Sequence, residues 1–266
     1  MFHKIIKNQR GNLLKFIDQL NVDDKIFYNE DIIDGWSTHF QQLAKKIPNP
    51  NYDTEYLYLI ENEAKIIIDI CKERLKHRAI TNKEMEKGIF CLNKNKAVDY
   101  FGINAENIIY GEKQLQQYLQ LLFDKSFELG CISDILKIGT LFPVYRNKGD
   151  NKSVKNYRGI AVTPTNSKLI EKIIKKRENP VILKNQNPLQ RGFTENTTPL
   201  LCELIIEEFD RESKDLTLPT YIALLDGKSA FDVVVHLNLL RRLYQTRISD
   251  QSIILIDSLC KKQLHV

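Results

Sequence analysis

Residues 221–236, YIALLDGKSAFDVVVH, decide how the rest of the chain is read. Tyr221, Ile222, Ala223, Leu224 and Leu225 form an unbroken apolar run that ends in Asp226. Such a short run, without the polar alternation of a half-exposed strand, predicts a strand buried on both faces. An acidic residue at its end is costly to bury unless its charge is compensated. A bound cation compensates it, and so does the N-terminus of a following helix that the Asp caps. Both readings of Asp226 stand on these residues alone. Gly227-Lys228-Ser229 imitates a phosphate-binding loop, but that loop also needs a glycine five positions before Gly227, where Ile222 stands. Without it the backbone cannot wrap the phosphates, and an NTPase of that kind is excluded.

Moving outward, 266 residues can bury a substantial core, and 27% charged against 42% hydrophobic residues is ordinary for a globular protein. The five cysteines are scattered, odd in number and without a C-x-x-C pair, which argues against a disulfide framework or a zinc finger. The five histidines form no cluster and sit in no nucleophile motif. No apolar run approaches membrane-spanning length, and the N-terminus lacks a signal peptide's apolar core, so nucleus or cytoplasm is the expected location. Net charge is +5, yet Lys137 to Lys184 alone carries +9, leaving −4 on the remainder. That segment reads as a footprint for a polyanion or, alternatively, as a solvated helix face with loop lysines.

In chain order, the first 80 residues read as helices. Ile32, Ile33, Trp36, Phe40, Leu43, Ala44 and Ile47 fall at helical spacing before Pro48, and a second helix runs from Glu55 to His77. Thr81-Asn82-Lys83-Glu84 is a capping box for a helix facing inward through Met85, Ile89 and Leu92. After the basic and aromatic turn NKNKAVDYFG (93–102), a helix places Leu115, Tyr118, Leu119, Leu122 and Phe123 inward and ends at Gly130. Ile138–Tyr145 and Tyr157–Thr163 predict a hairpin whose tip presents Arg146, Lys148, Lys152 and Lys155, with Arg158 on the returning strand. Thr165-Asn166-Ser167 can cap a helix carrying Leu169, Ile170, Ile173 and Ile174 inward, ended by Pro180. In the polar loop NQNPLQRGF (185–193), Gly192 allows a close approach of backbone to a partner. Thr198 and Pro199 start a helix with Leu201, Leu204 and Ile205 on its core face. Two further helices, Leu237–Tyr244 and Asp250–Cys260, follow the opening stretch. The pattern is α+β.

Taken in order, Lys148-Gly149-Asp150, Asn156-Tyr157-Arg158-Gly159-Ile160, Lys168-Leu169-Ile170-Glu171, Gln190-Arg191-Gly192-Phe193, and Leu225-Asp226 through Ala230-Phe231-Asp232 resemble the reverse transcriptase of LINE-type (non-LTR) retrotransposons. Each motif is weak alone; five in the family's order and spacing are specific together. The resemblance implies three regions: a helical N-terminal extension over 1–80, fingers with the basic hairpin over 81–215, and the start of a palm over 216–266. It implies that Asp226 is a catalytic, metal-binding aspartate for Mg²⁺. Phe231 is then the residue under the sugar, and Lys148 and Arg158 hold the incoming triphosphate. Gln190, Gly192 and Phe193 lie along the template. The implied partners are an RNA template, a DNA primer and dNTPs, with no membrane.

Three departures qualify the resemblance, one being Gly227-Lys228-Ser229, an uncommon filling of the motif around Asp226. Proline is usual in the family where Gly159 stands. The later aspartate pair that completes the metal site is not among these residues, since the only Asp-Asp is Asp23-Asp24. One carboxylate cannot hold two divalent ions about 4 Å apart. The expectation is therefore a polymerase fragment that is inactive alone, with a nucleic-acid-binding remnant or an inert, poorly folded one as alternatives.

Overall fold

The computed structural model describes residues 17–23, 25–44, 53–225, 227, 234–261 and 264–265. Ile47, Pro48, Asp226, Phe231 and Asp232 lie outside the described residues. Described helices and strands mix in the α+β manner expected.

The chain opens on a small β-hairpin, β1 (Gln19–Val22) and β2 (Lys25–Tyr28), followed by α1 (Ile32–Ala44). This corrects the all-helical reading of the first 80 residues. Leu20 and Val22 alternate with polar neighbours, and Asp23 takes the left-handed φ of 50° that a tight turn requires. Leu20, Val22 and Val154 form a small core roofed by Phe27, Ile32 and Trp36.

Helix α2 (Thr54–Glu73) is capped by Asp53, whose carboxylate accepts the Tyr56 N–H at 2.9 Å. Helix α3 (Asn82–Phe90) carries the predicted capping box, with Thr81 and Glu84 satisfying each other's orphan backbone donors. After α4 (Ala105–Ile109) comes α5 (Lys113–Leu129), which ends on Gly130 in the left-handed region (φ 61°). Strand β3 (Ile138–Tyr145) pairs antiparallel with β4 (Tyr157–Val162). Beyond lie α6 (Thr165–Asn185), α7 (Pro199–Asp215), α8 (His236–Gln245), α9 (Asp250–Cys260) and the two-residue β5 (Leu264–His265). Strand β5 adds in parallel to the start of β3, so the sheet order is β4-β3-β5. Among the described residues, no helix is long and apolar enough to cross a membrane.

Two helical cores carry the molecule. The first gathers Met85 and Ile89, Leu119, Phe123 and Phe127, and Leu169, Ile170, Ile173 and Ile174 from α3, α5 and α6. The second joins Ile67, Ile68 and Cys71 of α2 to Leu240 of α8. Helix α9 belongs to both, giving Leu255 to the first and Ile253 and Ile254 to the second. Gln251 and Ser252 of its polar first turn are buried too, which is tolerable only because their polar groups are matched. Glu178 accepts hydrogen bonds from the Ser249 N–H (3.2 Å), Ser249 Oγ (2.5 Å) and Ser252 Oγ (2.7 Å). Gln251 donates to the Phe127 carbonyl at 3.1 Å, and the Cys71 thiol donates to Asp250 at 3.3 Å. Burial first, then that acceptor, push the Cys71 thiol up to about 12, so it stays protonated.

Next to Glu178, Arg177 turns the other way. Its guanidinium donates to Glu84 (2.8 and 3.0 Å), to the carbonyls of Arg78 (3.1 Å) and Ala79 (2.9 Å) and to Gln251 (3.3 Å). It also lies 5.1 Å from the Phe127 ring centroid. Burial on its own raises the Glu84 carboxyl. Hydrogen bonds from Arg177 and Thr81, with the Arg177 charge, outweigh that and hold it at about 2.

Four other expectations are corrected. Pro180 does not end α6, which runs on to Asn185. Val181 and Ile182 beyond it pack against the second core, which offsets the lost interior hydrogen bond. Helix α5 buries Leu119, Phe123 and Phe127, while Leu115, Tyr118 and Leu122 stay exposed because its apolar stripe is wider than the face its neighbours cover. Helix α7 starts at Thr198 and Pro199 as expected, but Leu201, Leu204 and Ile205 are exposed. Tyr221–Leu225 form no strand. Tyr221 is 89% and Leu225 100% exposed, since among the described residues no strand pairs with the run.

A carboxyl held at about 2 against an ordinary 4.5 contributes stability that is complete above the ordinary value and lost as pH falls through about 2. Glu84→Gln should lower stability by about 3 kcal/mol at neutral pH, because Arg177 loses its charged partner. Between pH 4.5 and 2 the urea midpoint of the variant should also fall less steeply than that of the wild type.

Candidate nucleic-acid interface

The basic hairpin is present with the predicted strands, running in register from Thr140↔Val162 to Tyr145↔Tyr157. Its tip is braced from within. Arg146 N–H donates to the Asn156 carbonyl (2.9 Å), Tyr145 Oη to the Gly149 carbonyl (2.5 Å) and Tyr157 Oη to the Asn151 carbonyl (2.7 Å). Asp150 accepts the Lys152 N–H at 3.0 Å, an Asx turn that tightens the corner. At Gly149 φ is +81°, and an added Cβ would lie 2.7 Å from Asn156 Nδ2, so both conformation and space demand glycine there. The result is a stiff loop holding Lys148 at its outer turn, with Arg158 exposed on the adjoining strand.

The rest of the basic segment divides. Arg177 is buried between α3 and α9, and Lys137 is buried against Asp134 at 2.9 Å. Lys152 and Lys155 meet acids of the N-terminal unit, Asp18 and Asp23, each at 3.5 Å. The footprint read from the sequence is thus smaller than its count of cations. Arg146, Lys148, Arg158, Lys168, Lys172, Lys175, Lys176 and Lys184 are its outward part; among the described residues no acid forms an ion pair with them.

Beside the hairpin runs a groove of about 490 Å³, bounded by Asn93, Lys96, Ile160, Lys168, Glu171 and Lys172 among others. Thr165, one of its lining residues, is held by Asp99, a buried carboxylate. Asp99 accepts the N–H groups of Phe101 (3.0 Å), Ile103 (2.9 Å) and Thr165 (2.7 Å). The last is the first helical residue of α6, so Asp99 does the capping expected of the Thr165-Asn166-Ser167 side chains, and Pro164 occupies the N-cap position. Thr165 Oγ1 instead donates to the Ile103 carbonyl at 3.0 Å, and Ser167 Oγ donates to the Leu136 carbonyl. The loop 99–103 and the start of α6 are thereby one unit, and it fixes one wall of the groove. Removal from water pushes the Glu171 carboxyl up, against the pull of Lys168 and Lys172. The rim is thus lysine-rich over an aliphatic base. Sequence reasoning noticed the basic turn at 93–97 and the outward lysines of α6, but had no signal that they share a groove.

Gln190, Gly192 and Phe193 lie beyond the other end of α6, which at 21 residues is roughly 30 Å long. Their loop is held by Gln186 Nε2, which donates to the Gln190 carbonyl (2.8 Å) and Thr194 Oγ1 (2.7 Å). Gln190 Nε2 in turn donates to the Gly192 carbonyl at 3.3 Å. The left-handed residue is Phe193 (φ 59°), which is 92% exposed, while a Cβ added at Gly192 would lie 3.2 Å from Gln190 Nε2. Asp226 and Phe231 lie outside the described residues. Among the described residues no three His, Cys, Asp or Glu side chains gather as a metal centre.

Residues 146–265, somewhat under half of the chain, match a family described as reverse transcriptase (RNA-dependent DNA polymerase). The match begins at the hairpin tip and takes in α6 to α9, which supports the reverse transcriptase reading for that region. No curated protein matches the chain.

Gly149→Ala should cost about 1–2 kcal/mol, the usual penalty for a left-handed residue with a Cβ. The loss is to be read as a lower urea midpoint, with the far-ultraviolet dichroism of the folded state unchanged.

Proposed function

We propose that this chain is part of an RNA-directed DNA polymerase of the LINE type, comprising an N-terminal extension, fingers and the beginning of a palm. The observation that carries the reading is the braced, outward basic hairpin, whose tip and returning strand open the stretch that matches reverse transcriptases. Phosphoryl transfer from a dNTP asks the protein chiefly for positioning and charge. Arg158, by its planar fork, and Lys148, by its point charge, would grip the triphosphate of the incoming nucleotide. The groove with Lys96, Lys168 and Lys172 extends that positive surface along the side of the fingers and suits a backbone of phosphates. Gln190, Gly192 and Phe193 would follow the template, with the exposed Phe193 ring offering a stacking face.

Mg²⁺, in the parent enzyme, would neutralise the triphosphate and activate the primer hydroxyl. The described residues supply no cluster for it. We assign it to Asp226 together with carboxylates that do not occur in the family's pattern within these 266 residues. Phe231 would then select deoxynucleotides by its bulk beneath the sugar. Two buried helical cores with matched polar groups favour a folded piece of such an enzyme over an inert remnant. A non-catalytic nucleic-acid-binding remnant would use the same basic surface.

Two measurements test this. With RNA template, annealed DNA primer, dNTPs and Mg²⁺, the 266-residue polypeptide should give no primer extension; incorporation that disappears in Asp226→Asn would overturn the assignment of a one-carboxylate site. In filter binding, Lys148→Ala/Arg158→Ala should weaken single-stranded RNA binding and flatten the dependence of log K on log salt by about 1.4, the equivalent of two phosphate contacts. Unchanged affinity and slope would count against the hairpin as the phosphate grip.

A further inference from the structure

We infer that the N-terminal unit, β1, β2 and α1, is an acidic gate on the basic hairpin, with Asp18 and Asp23 standing where phosphates would otherwise meet Lys152 and Lys155. This rests on the reading of that hairpin as a phosphate-binding element.

The unit is fitted to the hairpin at three levels. At the backbone, the Asn21 N–H donates to the Lys152 carbonyl at 2.7 Å and Asn21 forms a parallel bridge with Ser153. In the small core, Val154 of the hairpin tip is buried with Leu20 and Val22. On the face of β4, the Trp36 ring meets Tyr157 edge-on at 4.7 Å, and Phe40 lies against Gly159. A Cβ at position 159 would sit 2.6 Å from Phe40 Cε1, so the proline usual at this position in LINE-type enzymes would expel the ring. Gly159 and Phe40 thus belong together, and the unit docks where this chain departs from the family pattern.

The charges follow from that docking. Lys152 Nζ reaches Asp18 Oδ1 (3.5 Å) and Gln19 Oε1 (3.1 Å), and Lys155 Nζ reaches Asp23 Oδ1 (3.5 Å). All four charged side chains stay at least 40% exposed, so these are weak, exchangeable pairs rather than buried locks. A polyanion can displace the carboxylates, and those carboxylates raise the threshold for doing so. Lys148 and Arg158 lie outside the gate and make first contact. Lys152 and Lys155 are a second pair, recruited when Asp18 and Asp23 give way.

The experiment uses the full chain and fluorescence anisotropy with a labelled single-stranded RNA across a salt series. Asp18→Asn/Asp23→Asn should bind roughly two- to thirtyfold tighter than the wild type, the range spanned by two exposed pairs. Its log K against log salt should be steeper by about 1.4. Glu207→Gln/Glu208→Gln makes the same charge change and also releases a cation, Arg211, on α7 away from the hairpin; it should move affinity little. Adding Lys152→Ala/Lys155→Ala to the Asp18/Asp23 variant should abolish the gain. An equal gain in both charge variants, or a gain that survives loss of the two lysines, overturns the gate. If the wild type binds and weakens on Lys148→Ala/Arg158→Ala but Asp18→Asn/Asp23→Asn changes nothing, the gate fails and the phosphate reading stands. Binding by neither wild type nor gate variant overturns both, whereas binding by the gate variant alone supports both.

Discussion

Two consecutive residues on α6, Arg177 and Glu178, hold the helical body together by facing opposite ways. Arg177 ties the capping box of α3 and the carbonyls before it to the Phe127 ring, while Glu178 caps α9. Neither charge is affordable in the interior without its partners, since a buried ion lacking hydrogen bonds costs several kcal/mol. Gln251 closes the circuit by accepting from Arg177 and donating to Phe127. Because α9 serves both cores, this junction sets how α2 and α8 sit against α3, α5 and α6. The hairpin and its groove depend on it indirectly: they hang on the start of α6, whose far end is anchored here.

The electrostatic picture changes once structure is added to charge. A basic segment is a footprint only to the extent that its cations are free to meet a ligand. Arg177 and Lys137 serve the interior, Lys152 and Lys155 answer to nearby acids, and the remaining outward lysines line α6 and the groove. What is left is a narrower strip with a defined course, from Lys148 and Arg158 at the hairpin to Lys168 and Lys172 on the helix.

Much of this was legible in the sequence where the cause is local. The Thr81–Glu84 capping box, the Thr198-Pro199 start, the Gly130 stop and the β3–β4 hairpin each have a residue that enforces them. The failures are tertiary. Periodicity said that α5 and α7 have apolar faces, but not which part of a face finds a neighbour; Leu119 and Phe123 do, whereas Leu122, Leu201 and Leu204 do not. Pro180 was overruled by the packing of Val181 and Ile182. The β1–β2 strands are four residues each, too short to stand out against helical propensity. The run before Asp226 is strand-like in composition, yet a strand exists only when another pairs with it. Of the candidate site, Lys148 and Arg158 could be found from motif order, while Asp99 and the groove could not, because residues 66 apart in sequence meet there.

The position of α9 has a consequence for how the protein is made. Both cores draw on residues 250–260, and β3 has its parallel neighbour only at residues 264–265. At roughly 5–20 residues per second, a ribosome takes about five to twenty seconds to pass from the hairpin to that helix. Throughout that interval the second core cannot close and Glu178 lacks Ser249 and Ser252, whereas Arg177 already has Glu84 and the carbonyls of Arg78 and Ala79. The first core, complete but for Leu255, can assemble ahead of the second, which is the last part of the molecule to close.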